Sequence, residues 1–337
     1  MNATNVLVSL AAVVLLFLVG LLGGMGSGLG VLFGVVIPYL ALAVFLVGLV
    51  HRVLTWAGAP VPFRITTTCG QEKSLPWIKQ AKLDNPSSFP GVAGRMALEV
   101  LFFRSLLRNT KSELHEGGKV AYATSLGLWL GAMAFHWSML VIILRHLRLV
   151  SSPTPAFVAF IQQVDGFLEI SVPVLYVSTV LFLAALAYLL WRRLAQAQVR
   201  YISLFDDYFA LFLLLGIGLS GFWLRHVAKT DIVAVKELAV GLATVNLGGA
   251  ADAAARIAPL FYGHLFLVCA LLVYFPLSKL VHMPGVFLSP TRNLANTNRM
   301  VRHVNPWDYP VKTHSYEAYE DEWREKMKAS GVPVEKE

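Results

Sequence analysis

Apolar residues run along this chain in six long blocks separated by polar stretches. A bilayer's hydrocarbon core is about 30 Å thick, and a helix rising 1.5 Å per residue crosses it with roughly 20 apolar residues. The blocks meet that length and lack the strict alternation of barrel strands. In lipid every backbone N–H and C=O needs an internal partner, so each block is predicted to be a helix. The expected spans run from about Asn5 to Leu22, Leu29 to Val50, Val120 to Leu144, Leu168 to Trp191, Tyr208 to Leu224 and Ile257 to Val281. The glycine-rich GGMGSGLG provides the turn between the first two. The expected fold is an all-α integral membrane protein, a bundle of six transmembrane helices with a cytoplasmic loop and a C-terminal tail. Its parts are two N-terminal helices (1–51), the loop (52–119), a four-helix core (120–283) and the tail (284–337).

The polar stretches have patterns of their own. RMALEVLFFRSLLRNTKSELHE mixes apolar and basic residues. It suits either a helix lying on the membrane surface or a loop helix packed on the ends of the bundle. The tail segment NPWDYPVKTHSYEAYEDEWREKM is rich in charge and aromatic rings but poor in aliphatic residues, so it is expected to order by docking on a partner.

Composition fits the same picture. Only 14% of the 337 residues are charged and 56% are hydrophobic, against about a quarter charged in a soluble domain. The formal net charge of +8 does not mark a nucleic-acid binder, because the basic residues flank apolar blocks. Ten Lys and Arg lie between Arg52 and Lys119, three in the loop from Arg192 to Arg200, and nine from Lys279 onward. In a six-span topology all twenty-two share one side and six lie opposite, which predicts that both termini are cytoplasmic. No Lys or Arg precedes the first apolar run, so that segment is expected to stay as an anchor rather than be cleaved. The two cysteines, Cys69 in a polar loop and Cys269 in an apolar block, are not expected to meet, and no Cys-x-x-Cys motif offers an iron–sulfur site.

Candidate chemistry rests on four of the nine histidines. His136 and His146 lie on the third predicted helix, and His264 and His282 are assigned to the sixth. An ionisable side chain inside a membrane is costly and is a functional candidate. Neutral imidazole is a common ligand of haem iron. Singly, each is as readily a hydrogen-bonding bundle residue. Together they form a constellation: pairs ten and eighteen residues apart, each presented from a shared helix face. Two antiparallel helices of this kind clamp two porphyrins, with His136 opposite His282 toward the cytoplasm and His146 opposite His264 toward the outside. The rises differ, about 15 Å against about 27 Å, and Pro276 is the residue expected to absorb the mismatch through a kink. Small residues near these histidines, Gly127, Gly131 and Gly263, admit either a flat macrocycle or close helix packing. Trp129, Trp137 and Tyr262 line a cofactor or fill the bundle.

The ten- and eighteen-residue histidine spacings resemble those of the gamma subunit of respiratory nitrate reductase, a quinol-oxidising dihaem cytochrome b, over about the third to sixth spans. The loop PFRITTTCGQEKSLPWIKQAKLDNPSSFPGVAGRMALEVLFFRSL and the tail LSPTRNLANTNRMVRHVNPWDYPVKTHSYEAYEDEWREKMKASG resemble the DsrM family, the cytochrome b subunits of the DsrMKJOP complex of dissimilatory sulfur metabolism. The extra N-terminal span favours the DsrM likeness over the nitrate-reductase one. This resemblance implies two haem b groups, the same pairing of His136 with His282 and His146 with His264, and menaquinone as substrate. It also implies a cytoplasmic iron–sulfur partner like DsrK, with the other subunits of that complex.

Quinol oxidation needs a proton acceptor near an electron acceptor. Arg145, Arg148 and His226 lie at the expected outer ends of the third and fifth helices, and SSPTPAFVAFIQQVDGF is placed to cap them. Charge anchoring is the simpler reading of the arginines. Two other functions remain open. One is a cytochrome b subunit of a nitrate or heterodisulfide reductase. The other is a secondary transporter using intramembrane histidines as proton relays, against which stands the lack of internal repeats.

Overall fold

The computed structural model of the chain describes residues 3–26, 28–59, 61, 64, 70–108, 111–300, 310 and 312–336. Six helices are long and apolar enough to cross a membrane: Ala3–Met25, Leu32–Ala57, Leu126–Val150, Val177–Ala195, Phe205–His226 and Pro259–Leu277. They are called spans one to six below. The chain is a multi-pass helical membrane protein, and large apolar side chains such as Leu7, Leu15, Val47 and Leu54 point outward where lipid replaces a protein core.

Several boundaries differ from the sequence expectation, each for a local reason. Span two opens with a π turn, Leu32–Val36, closed by the Ile37 N–H on the Leu32 carbonyl. Pro38 follows one residue later, and its ring excludes an ordinary helical turn N-terminal to it. Span three starts at Leu126 rather than Val120. The stretch before it is the antiparallel hairpin Lys111–His115 with Lys119–Ala123, whose tip needs the positive φ of Gly117 and Gly118. Span four starts at Val177 rather than Leu168. Leu168 to Tyr176 is apolar enough for a helix, but Pro173 and the left-handed backbone at Glu169 and Ser171 turn the chain there instead. Span five gains a turn at its start, where Asp206 and Asp207 favour the helix N-terminus and Asp207 accepts from the Leu204 N–H.

Two packed cores organise the bundle. Val13 of span one, Tyr208 to Leu213 of span five and Leu267 of span six form one. Phe135 of span three, Phe182 to Leu186 of span four and Leu214 of span five form the other. Span five therefore joins both halves, while spans three and six share few direct contacts, Leu271 of span six reaching the second core. Spans one and six approach closely through glycine. A Cβ at Gly20 would sit 2.5 Å from the Tyr262 carbonyl oxygen, and Gly263 lies under the Phe17 ring. Gly127 and Gly131 receive the ring of Tyr188. Of the two uses open to these glycines, the structure shows helix packing.

Two short helices that the hydropathy pattern did not separate from loop, Ile232–Ala243 and Leu247–Ala254, form a third core with Val35 of span two and Ile257 and Tyr262 near span six. They lie at the end of the bundle opposite the basic loop and tail. Tyr262 is fully buried there and donates its hydroxyl to the Ala254 carbonyl.

At the basic end the loop and the tail fold together. Arg64, only 2% exposed, donates to the carbonyls of Thr291 and Asp84 and to the Asn85 side chain. Asn296 donates its backbone N–H to Pro86 and its amide to Asn85. The mixed apolar and basic segment is not one helix: its start belongs to helix Phe89–Phe102, which buries Val92, Arg95 and Glu99, a short helix Arg104–Leu107 packs on span three, and Lys111–His115 is a strand. Trp129 and Trp137 of span three donate their indole N–H groups to the Phe102 and Leu101 carbonyls that end helix Phe89–Phe102. The tail also has order of its own. Helix Tyr316–Ala329 covers Glu320, which accepts from the backbone N–H groups of Glu335 and Lys336 as the chain folds back. Cys69 lies outside the described residues.

Candidate functional site

Span three is one unbroken helix of 25 residues, so His136 and His146 stand about 15 Å apart along it. Span six is different. Its α-helix ends at Tyr274, a 3-10 turn carries Phe275–Leu277, and Ser278 is extended at φ −114° and ψ −178°. A second 3-10 turn, Lys279–Val281, leads to His282, which opens a separate helical turn. The expectation that His264 and His282 share one helix face is corrected: Pro276 ends the helix rather than kinking it. The rise of about 27 Å for an unbroken helix therefore does not apply to this pair. The regular helix after His264 is only ten residues long, the same separation as between His136 and His146, and the remainder turns back toward span three.

The result is a ring contact. The imidazoles of His136 and His282 lie 6.0 Å apart between centres, with an interplanar angle of 84°. Phe103, in a left-handed backbone conformation at the end of the loop helix, packs edge-on against His136 at 4.9 Å, and Phe135 does so at 4.6 Å. His146 and His264 are within electrostatic reach of each other at longer range.

All four imidazoles are oriented in the same way. Nδ1 of His136 bonds the Ala132 carbonyl at 2.8 Å, that of His146 the Ile142 carbonyl at 2.7 Å and that of His282 the Lys279 carbonyl at 2.9 Å. Nδ1 of His264 bonds the Ser220 hydroxyl at 2.9 Å, where Gly221 brings span five close to the ring. A carbonyl accepts only from N–H, so three of the rings carry their proton on Nδ1 and present a lone pair at Nε2. None of the four rings is fully buried: His136 and His264 are partly buried, and His146 and His282 are exposed. A metal held in line by two imidazoles at about 2 Å per bond separates their ring centres by about 6 Å. The His136–His282 spacing fits that requirement, and the fixed Nδ1 protons are the outer hydrogen bonds that metal-bound imidazoles normally make.

The residues expected near a quinone are arranged less simply. Arg145 is buried and pairs with Asp165 at 2.8 Å. Asp165 in turn accepts from the Ser178 N–H and hydroxyl, and Arg145 also donates to Ser178 and Thr179. The guanidinium groups of Arg145 and Arg225 lie 3.8 Å and 4.8 Å from the centre of the Tyr176 ring. Arg148 belongs to the same electrostatic neighbourhood, whereas His226 sits at its rim against Phe222. Asp165 and Tyr176 escaped the sequence reading. The available signal was that Asp165 and Glu169 are the only charged residues between Arg148 and Arg192.

Similarity to known proteins agrees with this architecture. Residues 96–304 match the family described as "Nitrate reductase gamma subunit". An "Hdr-like menaquinol oxidoreductase cytochrome b-like subunit" of Archaeoglobus fulgidus is 46% identical over 284 residues, covering 83% of this chain and 84% of its own. The protein of the same description from Archaeoglobus profundus is 40% identical over 276 residues, 81% of each chain.

Proposed function

Because the chain belongs to the nitrate reductase gamma-subunit family, we propose that it is a dihaem cytochrome b subunit that relays electrons between menaquinone and an iron–sulfur partner. Its relatives carry the description of a menaquinol oxidoreductase cytochrome b-like subunit, so the coarse reading is a cytochrome b membrane subunit of an oxidoreductase. The observation that carries the finer reading is the shared state of four imidazoles, three on spans three and six and one just beyond span six. Each has Nδ1 engaged, the outer hydrogen bond that a metal-bound imidazole normally makes.

In this reading His136 and His282 hold one haem b at the basic end, and His146 and His264 hold a second toward the opposite end. Haem supplies reversible one-electron chemistry that no side chain here possesses. The protein's own work is to fix four rings, exclude water around them and stage them across the membrane. The Arg145, Arg148 and Arg225 group stabilises negative charge near the second pair, and His226 is the nearby group suited to take a quinol proton. The basic end faces the cytoplasm by its excess of Lys and Arg, so the folded loop and tail form the surface for the soluble partner. Within the family, the loop and tail sequences favour the DsrM branch and a DsrK-like iron–sulfur subunit in sulfur metabolism.

The test is a dithionite-reduced minus oxidised spectrum with haem counting. Two haems per chain are expected in the wild type. His136→Ala and His282→Ala should each remove the same haem, and His146→Ala and His264→Ala the other. A chain produced with ample haem that remains colourless would end this reading. A reporter fused to the C-terminus and found outside the cell would reverse the orientation.

A further inference from the structure

His282 poses a mechanical problem. The helix that should carry it stops eight residues earlier, and the intervening segment is two short 3-10 turns with the extended Ser278 between them. Such a segment has few internal hydrogen bonds, yet its imidazole sits in ring contact with His136. Something outside the segment must fix it.

Two neighbouring spans do so. Pro276 is fully buried against Gly48 of span two, where a Cβ would come within 2.7 Å of the proline ring. Breaking the helix frees the Pro276 carbonyl, and Arg52 of span two donates its Nε–H to that oxygen at 3.0 Å. From the other side, Asp207 at the start of span five pairs with Lys279 at 2.9 Å. The Lys279 carbonyl is the acceptor that orients the His282 ring. Asp207 is 13% exposed at its side chain and is itself fixed by the Leu204 N–H, with Arg193 3.7 Å away. Ser278 caps the turn through the Leu280 N–H. The chain of contacts thus runs from span five through Asp207 and Lys279 to the imidazole, and from span two through Arg52 to the break.

We propose that Asp207, Lys279 and Arg52 are positioning residues that set the ligand geometry of His282, making this haem site the one whose properties depend on a clamp rather than on a continuous helix. The inference rests on the dihaem reading above. It requires no change in the number of bonded atoms or electrons. Releasing the clamp lets His282 leave its ring contact with His136, so its hold on a haem would become partial.

Lys279→Met is the primary variant, because Lys279 is exposed and its loss leaves the Asp207 helix cap intact. Arg52→Met tests the second contact. Electron paramagnetic resonance of the oxidised, purified protein and a redox titration followed optically serve as readouts. For both variants the expected result is a shifted g-value and midpoint potential of one haem, a high-spin ferric signal from the same haem, and loss of up to one haem per chain. The second haem, held by His146 and His264, should keep its wild-type signature. Two haems with unaltered spectra and potentials in both Lys279→Met and Arg52→Met would overturn the clamp. Equal disturbance of both haems would also overturn it, since it would indicate general loosening. A wild-type chain without haem would instead remove the dihaem reading on which the clamp depends.

Discussion

At the scale of single residues, the chemistry of the cleft depends on which nitrogen of each imidazole is free. Three histidines use carbonyls of their own chain segment as Nδ1 partners, whereas His264 depends on Ser220 of span five. Ser220→Ala should therefore leave the His136–His282 haem unchanged and shift the spectrum of the other. The expected penalty is that of one hydrogen bond, about 1 kcal/mol, read as a small fall in haem retention during thermal release. The Arg145–Asp165 pair is a harder constraint because both groups are nearly buried, at 10% and 6% side-chain exposure. Asp165→Ala leaves Arg145 buried without its carboxylate, and such losses cost about 3–5 kcal/mol. Thermal unfolding in detergent should drop markedly. The double change with Arg145→Met should recover much of the loss, since an apolar pair often replaces a buried ion pair at little cost.

At the scale of elements, glycine contacts decide how the helices meet. Span one lies along span six because Gly20, Gly24 and Gly263 let the backbones approach. In lipid there is no hydrophobic drive for that contact, and close packing has to supply it. Gly20→Leu should destabilise the fold by about 1–3 kcal/mol, the usual penalty for overpacking, measured as a lower midpoint of thermal aggregation. A second element-scale fact is that spans three and six meet mainly through span five, whose residues enter both cores, with Leu271 of span six packed against each.

At the scale of the whole molecule, the loop and tail form one unit at the basic end. Asp84 is its ionic centre, with Arg104 at 2.7 Å and Arg108 at 2.6 Å. Partial burial works to raise the Asp84 pKa, but hydrogen bonds and charge from Arg104 and Arg108 outweigh it and hold it below the ordinary carboxylate value of 3.8. A depressed folded pKa means that the carboxylate's stabilisation is complete above its ordinary value and is lost as pH falls through the folded one. The protection factors of amides in residues 80–108, corrected for the intrinsic pH dependence of exchange, should therefore be flat from about pH 8 to pH 5 and should fall only below about pH 4. Asp84→Asn should show the looser, acid-like exchange pattern already at pH 7.

The sequence by itself determined the class of this protein. Block length and hydropathy are local properties, so six helices and their order could be read from them, and charge placement marked one end as basic. The four histidines were also legible, because an ionisable residue in an apolar run is conspicuous on its own. Tertiary structure decided where helices end when composition permits them to continue. Leu168 to Tyr176 and Leu277 to Val281 are apolar enough to be helix, yet both turn, because proline removes a donor and neighbouring spans satisfy the freed groups. It also decided which histidines meet. Equal apolar character along a helix says nothing about a break, and only the turn after Tyr274, held by residues 70 and more than 200 positions away, brings His282 to His136. Asp165 and Tyr176 stayed hidden for the same reason: their meaning lies in arginines that only the folded chain sets beside them.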